Sequence, residues 1–371
     1  MSDPSDLRCA PEGLTQKGRR LWFLVPGDLD TPTGGYGYDR RMIQGLRALG
    51  WRVEHRALDP SFPEPTREAL DQAISLLAEI PDQERVVVDG LAYGAMPDCA
   101  ESQGRRLHLI ALVHHPLWLE TGLDEARAES LRRDEVRALA QTWRIITTSR
   151  ATARLLQGQG LDTGRIRVVT PGVDRAPAAA GSPGPGLRLL CVATLTPRKG
   201  HDVLLRALAD LAEHPWQLYC VGSSDRNPLW ADRIRRLRRD LGLEDRVSFT
   251  GALSDAELEG QYRQADLFVL PTRFEGYGMV VAEALARGLP VVATRTGVLP
   301  DLVDPQTGIL VPPDDPETLG DALGRLLGEP ALRRHLAAGA RGASSRLPTW
   351  TDAAHAFAAA CQQTPGGDAH G

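Results

Sequence analysis

Residues 273–292 read RFEGYGMVVAEALARGLPVV, and they follow the apolar run DLFVL at 266–270. A short apolar run, a Gly-bracketed aromatic loop (EGYGM) and a helix-period stretch read as strand, turn and helix. LPVVAT at 289–294 then supplies another buried strand. Glu275 and Glu283 flank the turn, eight positions apart. Gly276 and Gly278 remove side chains where a backbone approaches a ligand. The helix opening near Met279 presents backbone N–H groups and the positive end of its dipole, which together bind anions. Glu283, one turn in, can accept bonds from a ribose diol beyond the anion, and Glu275 from sugar hydroxyls on its other side. The spacing suits a diphosphate flanked by two hydroxyl-bearing rings. A Gly-rich turn followed by a helix-surface glutamate is the plainer alternative.

The same strand–helix unit recurs outward in both directions. In the first half, strands are expected at LWFLVPG, RVVVDG, LHLIALVHH and WRIITTS, with helices over 39–49 and 124–141 among the intervening stretches. Residues 175–186, RAPAAAGSPGPG, form a Pro- and Gly-rich break that reads as a linker. The alternation restarts with LRLLCVATL, a helix over 202–213, WQLYCVG, a basic helix around 232–241, RVSFTG, ADLFVL and LPVVAT. The expected organisation is a flexible tail over 1–20, a first domain over 21–175, a linker over 176–186 and a second domain over 187–347. Residues 348–371 are expected to form a helix that crosses back to the first domain and then frays. The fold class is α/β: two doubly wound, Rossmann-like domains facing each other across a cleft. Ligands of such sheets lie beyond the carboxyl ends of the strands. In the second half the loops TPRKG, SSDRNP, ALSD and PTRFEGYGM all follow strands, so the site is expected on that edge.

Bulk properties narrow the function. The 371 residues suffice for two domains of roughly 150–200 residues each. Apolar content of 42% and charged content of 25% are those of a globular protein. A formal charge of −5 argues against a nucleic-acid partner. No apolar run approaches the roughly 18 residues of a membrane span, and the N-terminal stretch lacks the apolar centre of a signal peptide. Five scattered cysteines (Cys9, Cys99, Cys191, Cys220 and Cys361) fit a reducing cytoplasm, with Cys191 and Cys220 inside strand-like runs. Residues 1–174 carry 22 lysines and arginines against 25 aspartates and glutamates, so no polybasic membrane patch is evident and a soluble acceptor is favoured over a lipid.

TPRKGHDVLLRAL at 196–208 places Arg198 and Lys199 at another strand-to-helix turn, where cations neutralise charge building on a departing diphosphate. Alone, a solvated Arg-Lys pair explains them as well; the two loops share one sheet edge, and together they favour a site.

These residues carry a resemblance. RFEGYGMVVAEALARGLPVVAT resembles the E-x7-E region of retaining GT-B glycosyltransferases, in the large family that includes sucrose synthases and bacterial mannosyl- and glucosyltransferases. TPRKGHDVLLRAL is similar to its phosphate-binding lysine segment. TSRATARLL, VVTPGVD and TGILVPPDDPETLGDAL resemble further elements, in order. The resemblance implies that Lys199 binds the diphosphate, Glu283 the ribose and Glu275 the donor sugar, with Gly276, Tyr277, Gly278, Met279 and Val280 lending backbone around sugar and phosphates. TPTGGYGYDRR is similar to the family's Gly-rich loop, placing Gly34 and Gly35 at the cleft. LVHHP is similar to its strand-end histidine, with His114 beside the sugar and His115 as neighbour. Base and sugar selection fall to the loops around SSDRNP and GALSD, with Gly222 and Leu253 as donor contacts. One position departs: where the family carries an arginine five residues before the lysine, this chain has Thr194, and Arg198 is the nearby cation that can replace it.

The activity implied is transfer of a hexose-type sugar from a nucleotide-diphosphate sugar, UDP-linked by default, to an unidentified acceptor hydroxyl, with retained anomeric configuration. His114, Lys199, Arg198 and Glu275 are the expected catalytic residues, with Thr194 among the donor contacts. No cofactor and no metal are expected. A nucleotide-sugar epimerase or hydrolase on the same frame, and a silent donor-binding partner subunit, remain alternatives. Adjacent His114 and His115 do not make a zinc site without a third ligand. Asp314–Asp315 reads as a turn with Asp315 capping the next helix rather than as a metal motif. Trp118 and Trp350 either pack or shape an acceptor pocket.

Overall fold

A computed structural model describes residues 19–31 and 33–362. Of the tail expected over 1–20, residues 1–18 lie outside the described residues, as do Cys9 and the fraying expected beyond residue 362, whereas Arg20 already opens the first strand. Among the described residues, twelve strands fall into two parallel sheets of six. The first holds β1 (Arg20–Pro26), β2 (Arg52–Leu58), β3 (Arg85–Asp89), β4 (His108–Val113), β5 (Arg144–Thr147) and β6 (Ile166–Val168). The second holds β7 (Leu187–Val192), β8 (Trp216–Val221), β9 (Val247–Gly251), β10 (Leu267–Leu270), β11 (Val291–Thr294) and β12 (Gly308–Val311). Strand orders are β2-β1-β3-β4-β5-β6 and β12-β11-β10-β7-β8-β9, doubly wound in each case. Central strands such as β10 (LFVL) and β11 (VVAT) are buried throughout, because helices cover both faces of a parallel sheet and leave no polar side.

Each sheet has a switch point where the strand order reverses, between β1 and β3 in the first and between β7 and β10 in the second. The loops after β7 and β10 are TPRKG and PTRFEGYGM, so the topology itself brings those two segments together. Their approach is close: a Cβ added to Gly200, whose φ is +68°, would stand 2.0 Å from the Pro271 carbonyl oxygen.

Three strands, β2, β6 and β12, were absent from the strands expected above. All three are edge strands. Half-exposed edges mix polar and apolar residues, as in β2 (RVEHRAL), and lose the continuous apolar signature. The helix expected over 39–49 spans Gly34–Ala48, with Thr33 as its N-cap accepting from the Tyr36 N–H at 3.2 Å. Gly34 and Gly35 are therefore the first helical residues, not a loop. The cap decides the start here and outweighs the low helix propensity of glycine. The expected 124–141 helix spans Glu125–Leu139, capped by Asp124. Asp315 caps Pro316–Gly328 by accepting from the Thr318 N–H at 2.9 Å.

The final helix, Trp350–Gln362, lies against the first sheet and the helix Gly34–Ala48. Phe357 is fully buried and stacks on Phe23 with ring centroids 6.2 Å apart. The crossings between lobes touch as well: the Val173 N–H donates to the Pro348 carbonyl at 2.9 Å.

Candidate active site

Both lobes present the carboxyl ends of their strands to a common cleft. On the second lobe, Lys199 ends the 3-10 turn Pro197–Lys199 after β7. Its Nζ lies 2.6 Å from Glu275 Oε2 in the loop after β10. Burial alone raises the Glu275 carboxyl, but Lys199 and Arg198 outweigh it and hold the group below the usual carboxylate range. Burial pulls the Lys199 ammonium down further than Glu275 draws it up. Arg198 donates to the Phe274 carbonyl at 3.2 Å and reaches across the cleft, its Nε 3.3 Å from Glu120 Oε1 of the first lobe.

The helix Met279–Ala286 starts from Gly278, which has φ +79° and supplies no side-chain cap. The Val281 and Ala282 N–H groups donate to the Gly278 carbonyl, and those of Met279 and Val280 are the ones that can meet an anion. Glu283, one turn in, accepts from the Tyr262 hydroxyl at 2.8 Å, and burial raises its pKa. Tyr277 is buried, and its hydroxyl donates to the Pro171 carbonyl at 3.3 Å. That side chain ties the lobes together and is not free to take a ligand. Met279 and Val280 are half-buried at the helix start. The Thr194 carbonyl accepts from the Thr196 N–H at 2.8 Å, closing the turn after β7. Gly222, at the end of β8, lies against that segment, since a Cβ there would be 2.2 Å from the Ala193 oxygen. Leu253 packs partly buried on the second core.

On the first lobe, His114 follows β4. Its Nε2 lies 3.0 Å from Asp39 Oδ1 and 3.5 Å from Asp89 Oδ2. Both carboxylates are fully buried, and the ring meets Tyr38 edge-on at 5.3 Å. Burial pulls the His114 imidazole down, but Asp39 and Asp89 outweigh it and raise its pKa. Asp89 is pushed up to about 7 by burial and by Asp39, against the pull of His114. The donor atoms of Asp39, Asp89 and His114 all lie within 4.8 Å of one another, close enough to hold a cation. Sequence reasoning missed both aspartates and looked for a third ligand only beside the histidines. Asp89 closes the strand read from RVVVDG and so already stood at a strand's carboxyl end, which was the available signal. His115 is held neutral, down to about 4, by burial and the Arg198 guanidinium, and its ring meets Phe274 at 4.9 Å.

The lobes touch at the site itself. A Cβ on Gly276 would stand 2.4 Å from the His114 carbonyl oxygen, and one on Gly35 would be 3.4 Å from the His114 ring. Trp350 packs edge-on against Tyr38 at 6.2 Å and beneath Arg41, a packing role.

Comparison with known proteins places this geometry. The family model for Glycosyl transferases group 1 matches residues 186–329, and that for Glycosyltransferase Family 4 matches residues 91–176. The MMP alpha-(1->4)-mannosyltransferase of Mycolicibacterium hassiacum is 30% identical over 309 residues, spanning 79% of this chain and 74% of the relative. The chain belongs to the GT-B glycosyltransferase family. D-inositol 3-phosphate glycosyltransferases of Acidothermus cellulolyticus and Corynebacterium jeikeium are 35% and 38% identical over 253 and 208 residues. Those matches cover 63% and 51% of this chain and 56% and 50% of the relatives, so the chain spans little more than half their length. Among solved structures, sucrose-phosphate synthase from Thermosynechococcus elongatus superposes with a TM-score of 0.76 at 23% identity, covering 91% of this chain and 97% of that one. HepE of Anabaena, solved with UDP and glucose, gives 0.70 at 18% identity, covering 91% and 98%. At these identities the likeness is one of GT-B fold. Among the described residues no helix is long and apolar enough to cross a membrane.

Proposed function

We propose that this GT-B protein transfers a hexose-type sugar from a nucleotide-diphosphate sugar to an acceptor hydroxyl with retention of anomeric configuration. The observation that carries this reading is the meeting, at one switch point, of Lys199, Arg198 and the uncapped helix start at Met279. In this reading the three positive groups receive the diphosphate, with Lys199 paired to Glu275 at 2.6 Å and the helix start left without a side-chain cap before donor arrives.

In this reading the acceptor oxygen attacks the anomeric carbon from the face the diphosphate is leaving. The anomeric C–O bond breaks and its electron pair stays on the diphosphate. The acceptor proton passes to a phosphate oxygen, so no protein base is needed. Lys199, Arg198 and the helix N-terminus take the developing negative charge. Lys199 exchanges its partner Glu275 for phosphate when donor binds, which frees that carboxylate for sugar hydroxyls. His114, held by Asp39 and Asp89, stands on the opposite wall beside the sugar. Charge on the leaving group is thus met by protein cations, and no metal is invoked. UDP is the default nucleotide, and HepE is a fold neighbour solved with it.

A thermal-shift screen of the full chain with UDP-, GDP- and ADP-sugars, followed by product analysis, tests the reading. Stabilisation by one nucleotide sugar and acceptor-dependent glycoside formation with retained configuration are expected. Nucleotide release without an acceptor would indicate a hydrolase. Binding without turnover would indicate a silent partner.

A further inference from the structure

Beside the cleft, the first lobe holds a cavity of about 490 Å³, within the range of about 300–1,000 Å³ typical of small-molecule sites. The segments after β1 and β2 and the loop after β4 wall it, and Arg226 of the second lobe closes one side. Glu120, which pairs with Arg198 across the cleft, belongs to the same wall, so the cavity adjoins the space assigned to the sugar. Its floor is apolar: Pro60, Phe62, Leu91, Leu117 and Leu131 line it.

The charged lining is acid-rich and largely paired. Asp28, Glu64 and Glu120 stand against Arg127 and Arg226. Arg127 is 3.6 Å from Glu64, and Glu120 already holds Arg198 at 3.3 Å. Arg226, exposed on the other lobe, faces a wall with more carboxylates than cations. The buried lining atoms without a hydrogen-bond partner are instead Ser61 Oγ and both ring nitrogens of His115. Unpaired donors and acceptors match hydroxyl groups, whereas a phosphate brought here would meet three carboxylates and find its best cation already engaged.

We propose that this cavity selects an uncharged, hydroxyl-bearing acceptor with an apolar body, and that it discriminates against phosphorylated polyols. The inference deepens the transferase reading and rests on it. It separates this chain from relatives whose names specify D-inositol 3-phosphate.

The test is calorimetric titration of the full chain, saturated with the nucleotide that stabilises it most. The two probes are n-octyl glucoside below its micellar concentration and D-inositol 3-phosphate. Octyl glucoside is expected to bind at least about tenfold tighter, since each buried methylene contributes roughly a fourfold gain. Leu123 is half-exposed at the rim, so its substitution is expected to leave the fold intact. Leu123→Lys is expected to narrow or reverse the preference. Equal or tighter binding of the inositol phosphate, undetectable binding of octyl glucoside, or a ratio unmoved by Leu123→Lys would overturn the inference. Nucleotide binding in the same titrations separates the two failures. If nucleotide binds but octyl glucoside does not, the acceptor inference fails alone; if no nucleotide binds, both fail.

Discussion

The two walls of the cleft hold carboxylates near the carboxyl ends of parallel strands, Asp89 as the last residue of β3 and Glu275 in the loop after β10, yet treat them in opposite ways. On the second lobe Glu275 faces Lys199 at 2.6 Å and is held below the usual carboxylate range. On the first lobe Asp89 shares His114 with a second acid, Asp39, and rises to about 7. A third buried acid, Glu135, has only the Leu117 N–H, at 2.7 Å, and burial pushes it up to about 8. The gradient from cation, to shared histidine, to lone amide shows that the partner, more than burial, decides whether a carboxylate stays charged. The second wall gives its carboxylate a cation, whereas the first holds a proton between its own groups.

The largest effect is expected from breaking the charged pair. Lys199→Ala should lower turnover by about 10²–10³-fold, with a smaller loss of nucleotide affinity, because the lysine meets charge that builds only as the diphosphate leaves. Steady-state rates and nucleotide titration check the split; equal losses in both would make Lys199 a simple binding residue. Gly276→Ala addresses how the walls meet. Its Cβ would press 2.4 Å from the His114 oxygen and push the lobes apart. Turnover should fall about 10²-fold, while thermal melting of the chain changes little.

Asp89→Asn sharpens the contrast through pH. An aspartate with an unfolded pKa of about 3.9 and a folded value of about 7 loses its stabilising contribution as pH rises between those values. His114, raised in the fold, adds stability that is complete below about pH 6.5 and is lost as pH climbs through its folded pKa. Between about pH 4 and 6 Asp89 and Glu135 therefore contribute to the decline and His114 does not, and the Asp89→Asn comparison isolates the Asp89 share. Denaturant unfolding across that range should show wild-type stability falling and the Asp89→Asn slope flattened by about 1–2 kcal/mol in total. Parallel pH profiles would refute the shared-proton description. The smallest effect belongs to Glu135→Gln. Below about pH 4 the wild-type side chain is neutral in both the folded and the unfolded chain, and an amide oxygen can keep the Leu117 bond, so stability there should change by less than about 1 kcal/mol.

The second wall was far more legible than the first. Glu275, Glu283, Arg198 and Lys199 fall in two short segments, each directly after an apolar central strand, so local pattern and the strand-end rule located them together. Asp39, Asp89 and His114 are spread over 75 positions and meet only because β1, β3 and β4 are neighbours in the sheet. Strand order is a long-range property that no local window contains. The glycines of TPTGGYGYDRR misled in another way: they signalled a loop, while the Thr33 cap starts a helix through them. The edge strands β2, β6 and β12 escaped because solvent on one side removes the apolar run that marks the central strands.

A structure of the chain soaked with UDP tests most directly whether the β7/β10 switch point is a diphosphate site. The diphosphate is expected against the N–H groups at Met279, with Lys199 Nζ moved from Glu275 onto a phosphate oxygen and Glu283 on the ribose. Nucleotide bound elsewhere, or a Lys199–Glu275 pair unchanged beside an occupied site, would contradict it.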